Sequence, residues 1–484
     1  MKILVCFKVT PEPDRVLMSD FQKFSPDMDL SYAGLDFSCF DGPALELGLK
    51  LKEQLKEQGT SVSCSALTVG RALPDSFAQR LYSAGYEKVT WIPWDSPEFN
   101  PEAVAKLLAA EASDDDLILT GREAPMGETG MVPYLLAQNL HRELHADVEK
   151  ITFQQGNFHI LCRKSQGLYE RQLKLPALLT VGNCPDVLRM ATLRQQLKVR
   201  GRQAERKMPA ILSPEAEKHR FRVSDTGRHC RMLDPDAPET FEKILKLLKA
   251  AGQEQGGEKP GQSLPKNLQR AVEERKLFLF PDTEGGRILA VKTAERKKLP
   301  CFFGGEIREI REDAVTVEKP AFGSNLLWEK VLPLPLVLTG DFPGEEEKHR
   351  ELLKIPAMKT ALAESSAVLI CGNGMGSLEA CRQGRAAARR LGAGFGLTRP
   401  AVMNGWGGPE EIVGQSGRIL SPEVCLILGA AGAGPFLAGV RKAGTLIAVN
   451  TDPGALIFKS ADYGVQMDAV RFLQRLSEVN AGGI

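Results

Sequence analysis

Short apolar runs alternate with longer amphipathic stretches along most of this chain, and this alternation constrains the fold more than any other feature. In the first half, Pro43–Gln58 and Pro101–Ala112 have the three-to-four spacing of amphipathic helices. Strands that alternate with helices are joined by right-handed crossovers, which predicts an α/β fold with a parallel sheet covered on both faces. The predicted strands of this half are Ile3–Val9, Ser61–Val69, Lys88–Ile92, Leu117–Thr120 and Leu178–Val181.

The second half predicts further α/β units beyond a linker. A charged, irregular stretch (194–236) and a helix (239–250) precede residues 251–263, which have almost no apolar side chains and are typical of a linker. A glycine-rich turn (372–376) and a helix (377–391) follow a strand that begins at Ala367. The other predicted strands are Lys276–Phe280, Arg287–Ala290, Val315–Val317, Glu423–Leu428, Thr445–Asn450 and Tyr463–Met467.

Composition excludes several classes of protein. Lysine and arginine total 62 against 61 acidic residues, a balance that argues against a nucleic-acid-binding protein. No apolar run is long enough to span a membrane, and Lys8 interrupts the only candidate signal sequence, so we expect no membrane insertion. The ten cysteines form no CxxC pair, and we interpret them as reduced thiols of a cytoplasmic protein.

Four segments in the last third are candidates for contact with an anionic ligand. Residues 372–376 form a glycine turn before a helix, where backbone amides favour a phosphate. Residues 412–418 are a polar loop, 426–434 a strand followed by small residues, and 449–458 a strand that ends in polar residues. Each has an alternative interpretation, which is close packing for the glycines and ordinary turn formation for the polar residues.

The order of these segments resembles the FAD-binding domain of the electron-transfer flavoprotein (ETF) α subunit. That family has a GGRG turn, an SRAAVDAG segment, a VGQTGK loop, a GISGAIQH turn, and NKDPxAPIF followed by ADYG. Counterparts occur here in the same order, at 371–374, 398–405, 413–418, 429–436, 450–458 and 461–464. The resemblance implies an FAD bound by Gly372, Asn373, Gly374, Thr398, Arg399, Val413, Gly414, Gln415, Ser416, Gly417, Gly429, Ala430, Ala431, Gly432, Ala433, Phe436, Asn450, Thr451, Asp452, Asp462 and Tyr463.

The N-terminal half resembles the β subunit of the same family. The resemblance rests on the first strand (1–8), the helix at 40–52, the segment 67–70, the loop at 119–133 and the strand at 175–181. In the family the loop binds an adenine nucleotide, with a helix N-terminus facing the phosphate. The implied ligand is AMP or a second FAD, bound by Cys6, Gly121, Arg122, Glu128, Thr129, Gly130, Met131 and Val132.

The chain therefore resembles an ETF whose β and α subunits are fused, with parallel-sheet, Rossmann-like domains and a single chain in place of the heterodimer, compatible with a monomer. The expected organisation is a β-subunit-like domain with a C-terminal arm (1–250), a linker (251–265), a truncated α domain I (266–345) and the FAD-binding domain (346–484). The basic stretch Arg189–Lys207 resembles the family's partner-docking loop, with Leu193 as apolar anchor. A solvated charged loop is the alternative.

Two departures from the family bear on the flavin. Asn373 replaces the arginine of the GGRG turn, and Phe436 replaces a histidine that in the family lies against the flavin pyrimidine carbonyl. Loss of hydrogen bonds and positive charge near a flavin destabilises its reduced, anionic forms, so we expect a low potential or weak binding. Arg399 and Gln415 are retained, and Ser416 is expected to donate to flavin N5.

The function implied by the resemblance is electron transfer. The flavin would accept electrons from a flavin dehydrogenase, such as an acyl-CoA dehydrogenase, and pass them to a quinone-linked or other redox partner. The sequence shows no nucleophile–base pair or metal cluster for substrate chemistry. Three alternatives stay open: an ETF that bifurcates electrons from NADH through a second FAD, a non-redox nucleotide-binding paralogue, and a dinucleotide-dependent dehydrogenase, which would need the full GxGxxG motif.

Overall fold

The computed structural model describes residues 1–12, 15–16, 18–25, 28–94, 99–127, 129–164, 167–182, 184, 186–209, 220–223, 227–253, 266–322, 326–340, 342, 353–355, 362, 365–415 and 417–482. The chain forms two compact units. The N-terminal unit comprises Met1–Val223, Gly261–Phe322 and Leu326–Ala357, and the C-terminal unit comprises Ser224–Pro260, Gly323–Asn325 and Met358–Ile484.

The first 223 residues contain most of the elements of the N-terminal unit. In chain order they are β1 Lys2–Cys6, β2 Val9–Pro11, α1 Met18–Phe21, β3 Leu35–Phe37, α2 Asp41–Glu57, β4 Ser63–Gly70, α3 Asp75–Ala84, β5 Lys88–Pro93, α4 Pro101–Glu111, β6 Leu117–Gly121, α5 Val132–Asn139, β7 Glu143–Gln154, β8 Asn157–Lys164, β9 Gly167–Leu173, β10 Ala177–Val181, α6 Leu193–Lys198, β11 Glu205–Arg206 and β12 Arg220–Val223.

The rest of the chain completes both units. In chain order its elements are β13 Arg231–Leu233, α7 Pro238–Gln253, α8 Lys266–Glu273, β14 Leu277–Pro281, α9 Glu284–Lys297, β15 Cys301–Phe303, β16 Glu306–Ile310, β17 Ala314–Ala321, β18 Leu326–Pro333, β19 Leu336–Gly340, β20 Leu353–Ile355, β21 Ala367–Cys371, α10 Leu378–Arg390, β22 Gly394–Leu397, α11 Arg399–Met403, β23 Val424–Leu428, α12 Gly434–Leu437, β24 Thr445–Asn450, β25 Tyr463–Gln466 and α13 Ala469–Gly482.

A large mixed sheet organises the N-terminal unit, in the order β11-β5-β4-β1-β6-β10-β7-β8-β9-β20. The strands from β11 to β7 are parallel, and those from β7 to β20 are antiparallel. β1 and β6 are almost uninterrupted apolar runs, as in parallel strands covered on both faces. The five predicted strands and two predicted helices of this half are confirmed. The antiparallel strands β7, β8 and β9 were not predicted.

The segment that resembles a truncated α domain I has no separate core. Its parallel sheet β14-β19-β15 packs with α8 and α9, and its strands β16, β17 and β18 form an antiparallel sheet with β12, in the order β12-β18-β17-β16. Phe302 and Trp328 from this segment share one apolar cluster with Ile118 and Leu136. The prediction of a strand at Arg287–Ala290 is wrong, because these residues lie inside α9, whose N-terminus is capped by the Thr283 hydroxyl.

The C-terminal unit is built on one parallel sheet, in the order β13-β25-β24-β23-β21-β22. Helices α7, α10 and α13 contribute apolar side chains to the core on one face of this sheet, and the turns after β23 and β24 cover the other. The predicted domain boundary at residue 250 differs from the structure. β13 pairs with β25, and Phe241 and Ile244 of α7 lie in the C-terminal core, so residues 224–260 belong to this unit.

Candidate functional site

In the N-terminal unit the strand order reverses between β1 and β6. Counted by chain order, β5-β4-β1-β6-β10 run 3-2-1-4-5, and open α/β sheets bind ligands beyond the carboxyl ends of the strands at such a reversal. A pocket with an empty volume of about 760 Å³, its open mouth included, lies at this position. Its lining residues are Cys6, Phe7, Lys8, Asp41, Val69, Pro101, Val104, Leu108, Thr120, Gly121, Glu123, Ala124, Gly127, Thr129, Gly130, Val132 and Pro133.

The structure brings together most of the residues predicted to bind the N-terminal nucleotide. The five that line the pocket are Cys6, Gly121, Thr129, Gly130 and Val132. Arg122 and Met131 do not line it. The Arg122 guanidinium lies 4.6 Å from the centroid of the Phe40 ring, and Met131 is buried in the apolar core. Glu128 lies outside the described residues.

Asp41 is a pocket residue that the sequence analysis did not assign. Its carboxylate accepts hydrogen bonds from the backbone N–H groups of Lys8 (2.8 Å) and Gly121 (2.9 Å). The close approach requires glycine at 121, since a Cβ there would lie 2.2 Å from Asp41 Oδ1. Burial raises the pKa of Asp41 to about 7, against the hydrogen bonds from Lys8 and Gly121, which lower it. A signal was present, because Asp41 lies just before the predicted helix Pro43–Gln58.

Thr120 gives the pocket a buried hydrogen-bonding group. The residue is 5% exposed, and its hydroxyl has no hydrogen-bond partner among the residues that the structure describes. A buried hydroxyl without a partner is destabilising, and such groups in native structures usually point to a ligand or an ordered water. Because Thr120 lines the pocket beside Cys6 and Gly121, a bound ligand is the group that would complete its hydrogen bonding.

The loop before α5 has the geometry of a phosphate-binding turn. Gly130 has a φ of 59°, a conformation that favours glycine, and the Thr129 hydroxyl accepts from the N–H of Met131 (3.5 Å). α5 is eight residues long, with Pro133 in its first turn, and Val132 and Pro133 line the pocket. A helix N-terminus and free backbone amides at the end of a ligand pocket favour a negatively charged group.

The C-terminal sheet has its own reversal of strand order, between β21 and β23. The order β22-β21-β23-β24-β25 runs 2-1-3-4-5 by chain order, and such sheets bind ligands at the carboxyl ends of those two strands. There the N–H of Gly374 donates to the carbonyl of Gly429 (2.7 Å). A Cβ on Gly372 or Gly374 would lie 2.5 or 2.7 Å from the Gly429 carbonyl oxygen. These glycines therefore allow two loops to touch, in addition to any role with a ligand.

The predicted loops around this reversal dock on one another. The backbone N–H of Gln415, which is buried, donates to the carbonyl of Pro435 (2.7 Å). Gly414 and Gly417 close the turn that follows Val413, and a Cβ on Gly417 would lie 2.2 Å from the carbonyl oxygen of Ile412. Ser416, with its predicted bond to flavin N5, lies outside the described residues.

Small residues after β23 form the second side of this edge. Gly432 has a φ of 90°, and Ala431 accepts a hydrogen bond from the N–H of Ile457 (3.0 Å). Phe436 is buried in an apolar cluster, where it offers no hydrogen bond. Asn450 donates from its side-chain amide to the carbonyl of Ala430 (2.9 Å), which ties the ends of β23 and β24 together. The remaining predicted residues of these two turns are Ala433, Thr451 and Asp452, of which Thr451 and Asp452 are exposed.

Arg399 contributes a positive charge at the carboxyl ends of the strands of this sheet. It begins α11 directly after β22 and is partly buried, while Thr398 before it is buried. Among the residues that the structure describes, Arg399 has no ion-pair or hydrogen-bond partner. Asn373 accepts a hydrogen bond from the side-chain amide of Asn404 (2.6 Å) and is exposed. Within the described residues the site thus has a cation without a counter-ion, which suits an anionic cofactor.

Asp462 and Tyr463 lie at the other edge of the sheet. They stand at the amino end of β25, where Asp462 binds Arg228 and accepts from the N–H of Leu446 (2.7 Å). The ammonium of Lys243 lies 3.9 Å from the centroid of the Tyr463 ring. They therefore lie away from the carboxyl ends of the strands, where open parallel sheets bind ligands, and their contact with the cofactor stays a prediction. The acidic residue at the carboxyl end of β25 is Asp468, which caps the helix that follows.

The predicted docking loop presents an exposed apolar surface. Leu193 begins α6 and is 71% exposed, close in sequence to the exposed side chains of Met190 and Leu197. Thr192 and Gln195 cap this helix reciprocally. Arg189 anchors the loop to α2 through ion pairs with Glu46 (2.7 Å) and Glu53. The loop is therefore fixed at its base and leaves Leu193 in solvent.

The described part of the chain has neither a metal-binding cluster nor a membrane-spanning helix. Within those ranges no group of three or more His, Cys, Asp or Glu side chains could hold a metal ion. No helix there combines the length and apolar character needed to cross a membrane. All ten cysteines are free thiols.

Comparison with known protein families finds a match in each half of the chain. The electron transfer flavoprotein domain matches residues 33–207, and the electron transfer flavoprotein FAD-binding domain matches residues 361–441. The first match contains the loop that lines the N-terminal pocket, and the second contains the reversal between β21 and β23.

Individual relatives match parts of the chain. A putative electron transfer flavoprotein subunit, YgcQ of Escherichia coli (strain K12), is 44% identical over 108 residues, 22% of this chain and 37% of that protein. Protein FixB of Rhizobium meliloti (strain 1021) is 37% identical over 118 residues, 24% of this chain and 33% of that protein. Protein FixB of Escherichia coli O139:H28 (strain E24377A / ETEC) is 29% identical over 225 residues, 41% of this chain and 72% of that protein. The chain thus spans about a third of the first two relatives.

Proposed function

Because the chain carries an electron transfer flavoprotein domain and an electron transfer flavoprotein FAD-binding domain in one polypeptide, we propose that it is a single-chain electron carrier. It takes electrons from a flavin dehydrogenase, of the acyl-CoA dehydrogenase type, and passes them to a quinone-linked or other redox acceptor. The observation that carries the proposal is the match of the FAD-binding domain over the reversal between β21 and β23, with Arg399 beside it.

The residues at this edge fit an FAD. The bound FAD supplies the chemistry, since it can accept and release electrons one or two at a time. Arg399 offers a fixed positive charge and has no counter-ion among the residues that the structure describes. The turns of Gly372 and Gly429 bring backbone groups close to the strand ends, and the loop of Gln415 closes one side. Phe436 gives this site no hydrogen bond to the flavin ring, which supports the expectation of a low potential.

For the N-terminal pocket we propose AMP as the ligand. The pocket lies at the reversal of a single mononucleotide-binding half, and the loop before α5 suits one phosphate. Thr120 and the Asp41 carboxyl supply polar contacts at the end of the strands. A second FAD in the same pocket, which would support bifurcation of electrons from NADH, is the alternative outcome of the experiment below.

The free thiols support the proposal of a cytoplasmic protein.

The first experiment is to purify the protein without added cofactor, record its visible spectrum and identify the released molecules by chromatography. One FAD and one AMP per chain would support the carrier with a structural nucleotide. Two FAD per chain would support bifurcation. A colourless protein that also fails to take up added FAD would overturn the electron-carrier proposal in favour of a non-redox nucleotide-binding protein.

We propose Leu193 as the anchor that docks on the dehydrogenase. Leu193→Ala should leave the melting temperature unchanged, because the side chain is exposed, and should slow electron transfer from a purified acyl-CoA dehydrogenase about 10-fold or more, the usual effect of losing an interface anchor. Met208→Ala, also exposed and outside α6, is the control. An equal rate for both variants would remove Leu193 from the docking surface.

A further inference from the structure

The loop between β6 and α5, called the pocket loop below, lines the N-terminal pocket. It is held by the segment that resembles α domain I. Lys319, on β17, is 9% exposed, and its ammonium donates to the carbonyls of Thr129 (3.3 Å) and Phe303 (2.8 Å). Thr129 lines the pocket. One buried lysine therefore links the pocket loop to the end of β15.

Two more contacts join the same elements. The N–H of Phe322, at the end of β17, donates to the carbonyl of Met126 in the pocket loop (3.4 Å). The guanidinium of Arg287, on α9, lies 3.2 Å from the position that a Cβ on Gly130 would occupy. Gly130 therefore leaves room for Arg287 as well as supplying its own unusual backbone angle. These three contacts to the pocket loop all come from residues 287–322.

The helix after the loop is covered by the same segment. The ring of Tyr134 on α5 meets that of Phe303 edge to face, with centroids 5.3 Å apart. The carboxylate of Glu284, at the start of α9, accepts from the N–H of Ala146 on β7 (2.8 Å). Burying an ammonium without hydrogen-bond acceptors costs free energy. The hydrogen bonds from Lys319 to the two carbonyls offset this desolvation cost.

We propose that residues 284–322 hold the pocket loop in its ligand-binding conformation, with Lys319 as the positioning residue. The inference rests on the proposed nucleotide site and adds to it that ligand retention in the N-terminal pocket depends on the shortened α-like segment. It also assigns a role to the truncated α domain I, because a segment that holds the pocket loop need not be a complete domain. A loop that is already ordered binds its ligand more tightly, because the conformational entropy of the loop is lost on folding and not on binding.

The test is the affinity of the nucleotide-free full-length chain for AMP, measured by calorimetry. Lys319→Met keeps the length of the side chain and removes its charge, and should weaken AMP binding about 10-fold or more, as expected for loss of a charge-assisted hydrogen bond. Lys319→Arg should stay within about threefold. Lys330→Met, on the neighbouring strand β18, is the matched control and should bind as the unmodified protein does.

Hydrogen exchange on the unmodified protein makes the test independent of how the variants fold. Because coupling between sites is reciprocal, AMP should slow exchange at residues 301–305 and 315–322 as well as in the pocket loop. Protection confined to the loop, or AMP affinity unchanged in a folded Lys319→Met, would overturn the positioning role alone. Failure of the unmodified protein to bind AMP would overturn both this role and the proposed AMP ligand.

Discussion

The two units place their candidate sites at the same point of an α/β sheet but build them differently. The N-terminal pocket is lined by residues from three strands, three helices and the loop before α5, and it buries a carboxyl, Asp41, and a hydroxyl, Thr120. The C-terminal edge is made of turns whose glycines touch one another, with Thr451 and Asp452 exposed. A pocket that buries polar groups among apolar ones suits a ligand that stays with the fold, whereas an open edge suits a cofactor that must exchange electrons with partners.

The largest effect is expected where a turn of the open edge is broken. Gly432 has a φ of 90°, and a Cβ there would lie 2.2 Å from the backbone nitrogen of Ile457. Gly432→Ala should destabilise the C-terminal unit by about 4 kcal/mol or more and abolish FAD retention. Gly405→Ala has a similar φ of 78° but open space around it, so it should cost only about 1–2 kcal/mol.

FAD and AMP contents of both glycine variants, measured by chromatography after denaturation, check this prediction. AMP should remain at the level of the unmodified protein in both variants, since the N-terminal pocket is built in the other unit. Loss of AMP together with FAD would break the distinction between the two sites.

A pH effect is expected from the enclosed pocket. The carboxyl of Asp41 has a pKa of about 7 in the folded chain against 3.8 in a free side chain. The folded state therefore binds this proton more tightly, so the stabilisation is complete below about pH 4 and is lost as the pH rises through about 7. At about 1.4 kcal/mol per pKa unit, the loss is on the order of 3 kcal/mol between pH 5 and pH 8.

Denaturant unfolding of the nucleotide-free protein across this range measures the effect. The Asp41→Asn variant cannot ionise at this position and should show a flatter profile than the unmodified protein. Parallel profiles for the two proteins would show that Asp41 is not the group responsible, and would remove the enclosed carboxyl from the comparison.

A smaller effect, confined to the open edge, is expected from Arg399. Arg399→Met should weaken FAD binding about 10-fold or more, because the cation has no counter-ion in the described structure and an anionic cofactor would supply one. Arg389→Met, exposed on α10, is the control. Flavin fluorescence titration gives the affinities. Equal FAD affinity in the two variants would place the cofactor away from α11.

The smallest effect is expected at Thr120. Its substitution should preserve or raise the stability of the nucleotide-free protein but lower its affinity for AMP. Thr120→Val removes a buried hydroxyl that has no partner among the described residues. The nucleotide-free protein should therefore be as stable or slightly more stable, while AMP affinity falls about fivefold. Thr180→Val is the matched control. The Thr180 hydroxyl accepts from the N–H of Asp147 (3.2 Å), so its loss should lower stability and leave AMP affinity unchanged.

Much of the fold and of the candidate sites follows from local patterns in the sequence. The apolar runs of β1, β6, β21 and β23 predict buried parallel strands, and the glycines after β21 and β23 predict tight turns at their ends. The polar loop around Gln415 is likewise visible as a break between apolar runs. These features depend on neighbouring residues alone, so the sequence is enough to predict them.

Other features were decided only by the tertiary structure. Helix α7 is predicted from its periodicity, but no local pattern indicates that its apolar face packs on the C-terminal sheet. Asp462 and Asn450 both flank strands, and only the strand directions show that they lie at opposite edges of the sheet. The link from Lys319 to Thr129 joins residues 190 positions apart. Strand order, the edge on which a side chain lies and such distant contacts depend on the whole chain, because they are selected by the total burial and hydrogen bonding of all elements together.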